Sequence, residues 1–161
     1  VLFVGQVSSR YKERYEKIIQ DKSLEEVVMS LGKVGHDICV RYQMNSDVLL
    51  HIVESCEGRD VTQRFKGALP SKLYEYLYTA NPILAIVPEG EDREIIEKTN
   101  SGLIAEPNDV GSVKKALFDL YARYKDGTLK ENRDLNEIDK YDREYLSGIL
   151  ADIFEEVSKK A

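Results

Sequence analysis

The sequence is poor in residues that bind metals or form disulfides, with two cysteines and two histidines among its 161 residues. Cys39 and Cys56 have no C-x-x-C spacing, and His36 and His51 are not at metal-ligand spacing with them or with each other. We therefore expect no metal site. Reduced cysteines are typical of a cytoplasmic protein, so a cytoplasmic location is expected as well.

Long apolar runs and an excess of positive charge are also lacking. No run approaches the roughly 18 apolar residues that a membrane span needs. The formal net charge of −6 argues against nonspecific binding to nucleic acid. We therefore expect a soluble chain that has no nucleic-acid partner.

Three motifs of well-known enzyme classes are missing. The sequence contains no Gly-x-Gly-x-x-Gly, no Gly-x-x-x-x-Gly-Lys-Ser/Thr and no Gly-x-Ser-x-Gly. Their absence weakens a dehydrogenase, an NTPase and an α/β-hydrolase interpretation respectively. The chain begins at Val1 rather than at a methionine, so we expect it to be a fragment of a longer protein.

Five short apolar runs alternate with segments of helical periodicity. They predict strands at Val1–Val4, Val27–Leu31, Asp47–Val53, Ile83–Val87 and Leu103–Ala105. The first strand is expected to be buried. This alternation predicts right-handed βαβ units, and therefore an α/β fold with a Rossmann-like, three-layer parallel sheet covered by helices on both faces. The histidine within the third run, His51, is predicted to be a hydrogen-bonded core residue rather than a ligand-binding one.

The end of the chain differs in composition from the rest. Residues 1–125 are predicted to form the Rossmann-like domain. The polar stretch Lys125–Lys140 is predicted to be a linker, and Tyr141–Lys159 a long closing helix with a wide apolar face. Residues 126–161 would then pack on the same domain or on a domain that this chain lacks.

The most informative stretch is the start of a helix near residue 71. Pro70 disfavours a helical conformation for the residue before it, and Ser71 can cap a helix that begins just after it. The helical period predicts one buried stripe, made of Leu73, Leu77 and Ala80.

A different face of this helix carries Ser71, Lys72 and Glu75. A helix N-terminus attracts phosphate, and a carboxylate one turn further can accept hydrogen bonds from sugar hydroxyls. This combination suits a nucleotide sugar. The alternative is that Lys72 and Glu75 are an exposed i, i+3 pair and that Ser71 is only a cap.

Ligands of an open parallel sheet bind outside the carboxyl ends of its strands. The segments that reach this edge are expected to be Gly5–Ser9, Gly32–His36, Glu54–Gly67 and the helix start at Ser71. A site built there would use main-chain N–H groups, a helix dipole and one carboxylate. We assign no catalytic residue within the chain.

The run Leu69–Leu77, followed by Pro82–Ala85 and Ser101–Leu103, resembles the C-terminal domain of GT-B glycosyltransferases of the family-4 (group 1) branch. That branch commonly reads Pro-Ser-Lys-x-x-Glu-Tyr-Leu, a small-residue turn, then proline and an apolar strand. Gly32–Val34 and Asp47–Leu50 match its pattern upstream. The resemblance extends from about Val1 to Leu120.

The resemblance implies that the chain is the half of the enzyme that holds a nucleotide diphosphate sugar as donor. Glu75 matches the glutamate that binds the ribose hydroxyls. Ser71 and its neighbours Leu69 and Lys72 match the cradle of the diphosphate, and the loop from Gly32 through Val34 to His36 matches the segment that lies against the base. It also implies retaining sugar transfer with no metal and no cofactor, driven by electrostatic stabilisation of the departing diphosphate.

The chain departs from the family pattern in several places. Gly67 stands where the fuller signature has a second glutamate, eight positions before Glu75. Ala80 stands where glycine is common, so Asn81 is expected to supply the left-handed turn. The family's basic pair for the diphosphate and its acceptor-binding N-terminal domain are not found, so we expect the chain alone to be inactive.

The resemblance also implies a partner domain, a cellular location and a biosynthetic role. The partner would be the N-terminal acceptor domain of the same polypeptide, and peripheral membrane contact would occur through that domain, at the inner face of the membrane. The usual role of the branch is surface-polysaccharide or lipopolysaccharide synthesis. The donor base, the sugar and the acceptor stay open.

The sequence leaves two other functional interpretations open. The chain could be a non-catalytic α/β nucleotide-binding or protein-docking module, with the last helix as its docking surface. It could also be a nucleotide-sugar epimerase of the same architecture, although the additional catalytic acids and histidines of those enzymes are not found.

Overall fold

The structure is a computed structural model that describes residues 1–53, 71–130 and 133–160. The chain divides into two compact units, Val1–Asn45 and Ser46–Ala161. The prediction of a domain boundary near residue 125 stays a prediction.

The first unit is a small βαβα arrangement. It consists of β1 (Leu2–Phe3), α1 (Ser9–Asp21), β2 (Met29–Ser30) and α2 (His36–Met44). The two strands pair in parallel, with Leu2 opposite Met29. The predicted parallel pairing is confirmed, but the prediction that the first strand is buried is wrong, because Leu2 and Phe3 are exposed. In a two-stranded sheet β1 has one strand neighbour, so its apolar run lies at an edge.

The second unit contains a three-stranded parallel sheet. Its strands are β3 (Leu49–Ile52), β4 (Ile83–Ile86) and β5 (Gly102–Ala105), in the order β3-β4-β5. Leu49 lies opposite Ile83, and Ile83 lies opposite Gly102. The central strand β4 is almost entirely buried, as expected for a parallel strand covered on both faces.

Helices cover both faces of this sheet. The described helices of this unit are α3 (Ser71–Tyr78), α4 (Glu91–Lys98), α5 (Val110–Asp126), α6 (Leu135–Asp139) and α7 (Arg143–Lys160), of which α3 to α6 pack in the core of the sheet. Ile83 and Ala85 of β4 pack in one core cluster with residues of α3, α4 and α6. Leu84, which points to the other side, packs with Ala116 and Leu120 of α5. The predicted α/β fold with parallel strands, flanking helices and a long last helix is confirmed.

The predicted linker contains a helix that the periodicity did not indicate. Asp134 caps α6, because its side chain accepts a hydrogen bond from the N–H of Glu137 at 3.1 Å. Ile138 of α6 is buried in the core with α3 and α4. Asp134 followed three residues later by Glu137 is a capping-box pattern, so the sequence did contain a signal for this helix.

The last helix, α7, keeps its apolar face exposed. The side chains concerned are Tyr145, Leu146, Ile149, Leu150, Ile153, Phe154 and Val157. What they pack against stays a prediction.

Candidate functional site

Helix α3 is held with its first turn at the carboxyl edge of the sheet. It follows β3 and precedes β4, which is parallel to β3, so it begins where the carboxyl ends of the strands lie. Leu73 and Leu77 are fully buried against the sheet, as predicted. Their burial fixes which side of α3 faces outward.

The outward side of α3 carries the predicted site residues of this unit. Ser71 and Lys72 are exposed and Glu75 is half-buried. The described part of the helix begins at Ser71, and the role of Ser71 as its cap stays a prediction. Leu69 lies outside the described residues, and so does the loop Glu54–Gly67. The structure thus brings Ser71, Lys72 and Glu75 together on one helix.

The C-terminal end of α3 differs from the prediction. Ala80 is exposed and has a φ of +59°, so it adopts the left-handed conformation itself. The prediction that Asn81 supplies this turn and that Ala80 extends the buried stripe is therefore wrong. The helix ends at Tyr78, and Ala80 is already beyond the period that places side chains on the sheet. Asn81 is fully buried instead.

An arginine that is distant in the sequence, Arg133, binds the C-terminal end of α3. Arg133 donates from Nη2 to the carbonyl oxygen of Leu77 in the last turn of α3. Burial lowers the pKa of the Arg133 guanidinium, yet the group stays charged because its ordinary value is above 12. A cation is favourable at the negative end of the helix dipole. No sequence pattern indicates this contact, which joins residues 56 positions apart.

Tyr74 lies in the first turn of α3, and charges at the start of α4 act on its hydroxyl. Burial, and next the negative charge of Glu91, raise the pKa of the Tyr74 hydroxyl above its ordinary value of 10.0. Its ring lies 5.9 Å from that of Tyr141. Carboxylates at the start of α4 therefore shape the electrostatics beside the first turn of α3.

His51 lies near the carboxyl end of β3 and is 5% exposed. Its Nε2 atom lies 2.7 Å from Oδ2 of Asp92 in the first turn of α4. The prediction that His51 is a hydrogen-bonded core residue is confirmed. The contact ties the first turn of α4 to β3.

The loop after β2 forms the other predicted part of the site. Gly32 has a φ of +70°, and its carbonyl oxygen accepts a hydrogen bond from the N–H of Gly5 at 2.8 Å. The loop then leads to Gly35, the residue before α2. Glycine is suited to the left-handed turn at position 32, where other residues would be strained.

Within the first unit this loop lines a small cavity of about 240 Å³. The lining residues are Val4, Gly5, Lys33, Val34, His36 and Cys39. Val34 and His36 are thus brought together, beside the end of β1. The volume is below the 300–1,000 Å³ of sites that enclose a whole ligand, and suits part of one.

The predicted site residues fall into two groups. Gly32, Val34 and His36 belong to the first compact unit, whereas Ser71, Lys72 and Glu75 belong to the second.

No protein-family model matches this sequence, and no curated protein matches it either. A solved structure does match this chain. The chain is similar to Anabaena Alr3699/HepE in complex with UDP, with 18% sequence identity and a TM-score of 0.69. The match covers 98% of this chain and 40% of that protein, so the chain spans less than half of the length of its structural neighbour. At this identity the likeness shows a shared fold.

Within 1–53, 71–130 and 133–160, no three His, Cys, Asp or Glu side chains are grouped so that they could hold a metal ion. Among the helices of those ranges, none combines the length and the apolar character needed to cross a membrane.

Proposed function

We propose that this chain is the donor-binding domain of a GT-B glycosyltransferase and holds a nucleotide diphosphate sugar. Two findings support the proposal. The motif that resembles the family begins α3 at the carboxyl edge of a parallel sheet, where such folds bind ligands. The fold is also that of a protein solved in complex with UDP, matched over 98% of this chain.

The observation that carries the proposal is the outward side of α3. Glu75 stands one turn after Ser71, on a helix whose opposite side is anchored by Leu73 and Leu77. A carboxylate one turn from the N-terminus of the helix can accept hydrogen bonds from two ribose hydroxyls. Ser71 and the free N–H groups of the first turn would bind the diphosphate, and Lys72 would add a positive charge.

The loop after β2 is proposed to bind the base. Val34 supplies an apolar surface, and His36 supplies ring nitrogens that can donate or accept hydrogen bonds. The cavity of about 240 Å³ that they line is large enough for a nucleobase but not for a whole nucleotide sugar.

The chemistry proposed for the whole enzyme is retaining transfer of a sugar without a metal or a cofactor. The chain would stabilise the leaving diphosphate through main-chain N–H groups and the dipole of α3. An N-terminal domain of the same polypeptide would hold the acceptor, so the chain alone would be inactive. A cytoplasmic enzyme that works at the inner face of the membrane in surface-polysaccharide synthesis fits this proposal.

The experiment is a titration of the chain with UDP, GDP and ADP, followed by NMR of the protein. We expect one diphosphate to shift resonances of α3 and of the Gly32–His36 loop. Glu75→Gln should weaken its binding about tenfold or more, because it removes the charge from hydrogen bonds to hydroxyls. Glu94→Gln is the matched control, since Glu94 lies on α4 and pairs with Lys98. It should bind like the wild type.

Two results would contradict the proposal. One is the absence of shifts with any diphosphate at millimolar concentration, and the other is equal binding by the wild type and Glu75→Gln. Either would favour the second candidate function, a protein-docking module. The exposed apolar face of α7 is the observation that favours it.

A further inference from the structure

Helix α5 is apolar over more than half of its circumference, on the side that packs on the sheet and on the side next to it. On its inner side Ala116 and Leu120 are buried, and Val113 packs with them against the sheet. On its outer side five apolar or aromatic side chains are more than half exposed: Val110, Leu117, Phe118, Tyr121 and Tyr124. A helix that needs only its inner side to pack on a sheet normally has a polar outer side.

These exposed side chains form a continuous surface. Their positions, with Lys114 and Lys125, follow the spacing of three, four, seven and eight that brings helical residues onto one face. Lys114, Leu117, Phe118 and Tyr121 line a shallow groove of about 410 Å³. The Lys114 ammonium lies 5.8 Å from the centre of the Phe118 ring. We call the five exposed side chains together with Lys114 and Lys125 the outer face of α5.

The charge of this face is opposite to that of the chain. It carries two lysines and no acid, whereas the whole chain has a net charge of −6. The two acids of the helix, Asp119 and Asp126, fall roughly 80–100° round the helix from Phe118, at its flank. Over the described parts of the chain, neither of the two lysines has a carboxylate within salt-bridge distance. Their charges are therefore available to an anionic partner.

We propose that the outer face of α5 binds the surface of an anionic phospholipid bilayer, with the helix lying in the plane of the interface. Leu117, Phe118 and Val110 would enter the boundary between headgroups and acyl chains. Tyr121 and Tyr124 would keep their rings in the apolar layer and their hydroxyls at the headgroups. The lysines would extend past the apolar side chains and pair with lipid phosphates.

The composition of the face favours lipid over the other anionic partner, a nucleic acid. Lysines and aromatic rings suit both partners, but the aliphatic side chains Val110 and Leu117 gain from burial in a bilayer and have no role on a phosphate backbone. The apolar face of α7 offers a contrast, because that helix carries four acids and three bases.

The experiment is co-sedimentation of the 161-residue chain with phosphatidylcholine vesicles, with and without phosphatidylglycerol. Binding is expected on the vesicles that contain phosphatidylglycerol, and it should fall as salt is raised. Lys114→Gln and Lys125→Gln should each weaken it about fivefold. Phe118→Ser should weaken it about tenfold, because the ring no longer enters the apolar layer.

The chain provides matched controls for both changes. Phe154 on α7 is 63% exposed and Phe118 is 61% exposed, so Phe154→Ser removes an equally exposed phenylalanine from a helix. Lys159→Gln removes an exposed lysine from the same helix. Both control variants should bind vesicles like the wild type. Circular dichroism of every variant checks that the helices are retained.

Four results would overturn the inference. The first is no binding to vesicles that contain phosphatidylglycerol, and the second is binding that Phe118→Ser and Phe154→Ser weaken equally. The third is a dimer, seen by analytical ultracentrifugation, that Phe118→Ser abolishes, since a second copy would then cover the face. The fourth is tighter binding to a single-stranded oligonucleotide than to the vesicles, with the same dependence on Lys114 and Lys125. Nucleotides are absent from this experiment, so its outcome is independent of the donor-binding proposal.

Discussion

Replacing Gly102 with alanine would place a methyl group inside the backbone of the neighbouring strand. Gly102 is the first residue of β5 and lies directly opposite Ile83 of β4. A Cβ atom built on Gly102 would lie 1.9 Å from the carbonyl oxygen of Ile83, and 2.7–2.8 Å from its carbonyl carbon and nitrogen. Ordinary contact begins at 3.4 Å, so the two strands would have to separate locally by about 1.5 Å.

That separation removes specific interactions. The N–H of Ile83 donates to the carbonyl oxygen of Ser101 at 2.9 Å, and this hydrogen bond would be broken. A buried donor left without a partner costs about 1–3 kcal/mol. Repacking around the fully buried side chain of Ile83 lowers the free energy of unfolding by about a further 1–3 kcal/mol. We therefore expect Gly102→Ala to lower the free energy of unfolding by about 2–6 kcal/mol, a large part of the stability of an ordinary domain.

The assay is urea unfolding followed by circular dichroism, with Gly148→Ala as control. Gly148 lies within α7, where an added Cβ meets nothing within 4 Å. Alanine there should leave stability unchanged or raise it by up to about 1 kcal/mol, because glycine is unfavourable inside a helix. A loss of less than 1 kcal/mol for Gly102→Ala would refute the register of β4 and β5 from which this reasoning starts.

Two further predictions concern α3. Ala80→Gly should raise the free energy of unfolding by about 1 kcal/mol in the same assay, because alanine at a φ of +59° is strained and glycine is not. Unchanged or lower stability would argue against the left-handed turn. Tyr74 has a raised pKa, caused by burial and by Glu91, so the folded chain holds its proton more tightly than the unfolded chain does. Its contribution to stability is complete below pH 10 and is lost as the pH rises through the higher folded value. Tyr74→Phe should thus make the free energy of unfolding fall less steeply above pH 10, and an unchanged slope would contradict the shift.

Much of the fold follows from local patterns. Apolar runs that alternate with helical periods predicted parallel strands with helices between them, and the sheet β3-β4-β5 has this order and direction. Leu73 and Leu77 were placed correctly because they lie within α3, where the period of 3.6 holds. The period failed at Ala80, since the chain had already left the helix.

Contacts between distant parts of the chain were not predictable in the same way. His51 pairs with Asp92 across 41 positions, and Arg133 reaches Leu77 across 56. Neither pair follows from a spacing, because each depends on how separate parts of the chain pack around the sheet. The burial of β1 was overestimated for a related reason. An apolar run does not reveal whether its strand lies at the centre of a sheet or at its edge.

The candidate site was predictable in part. The type and position of Ser71, Lys72 and Glu75 on one helical face came from the sequence, and the structure places them on α3. That α4 adds carboxylates beside Tyr74 could not be foreseen, because it requires knowing which helices are neighbours on the sheet.

The position of β4 between two parallel partners also has a consequence for how the chain folds. No strand of this sheet pairs with another through a tight turn, since Leu49 and Ile83 are 34 positions apart and Ile83 and Gly102 are 19 apart. Closing the shorter loop costs about 0.5 kcal/mol less chain entropy than closing the longer one. The order of assembly that loses least entropy therefore joins β5 to β4 through α4 first, and adds β3 to a pair that already exists.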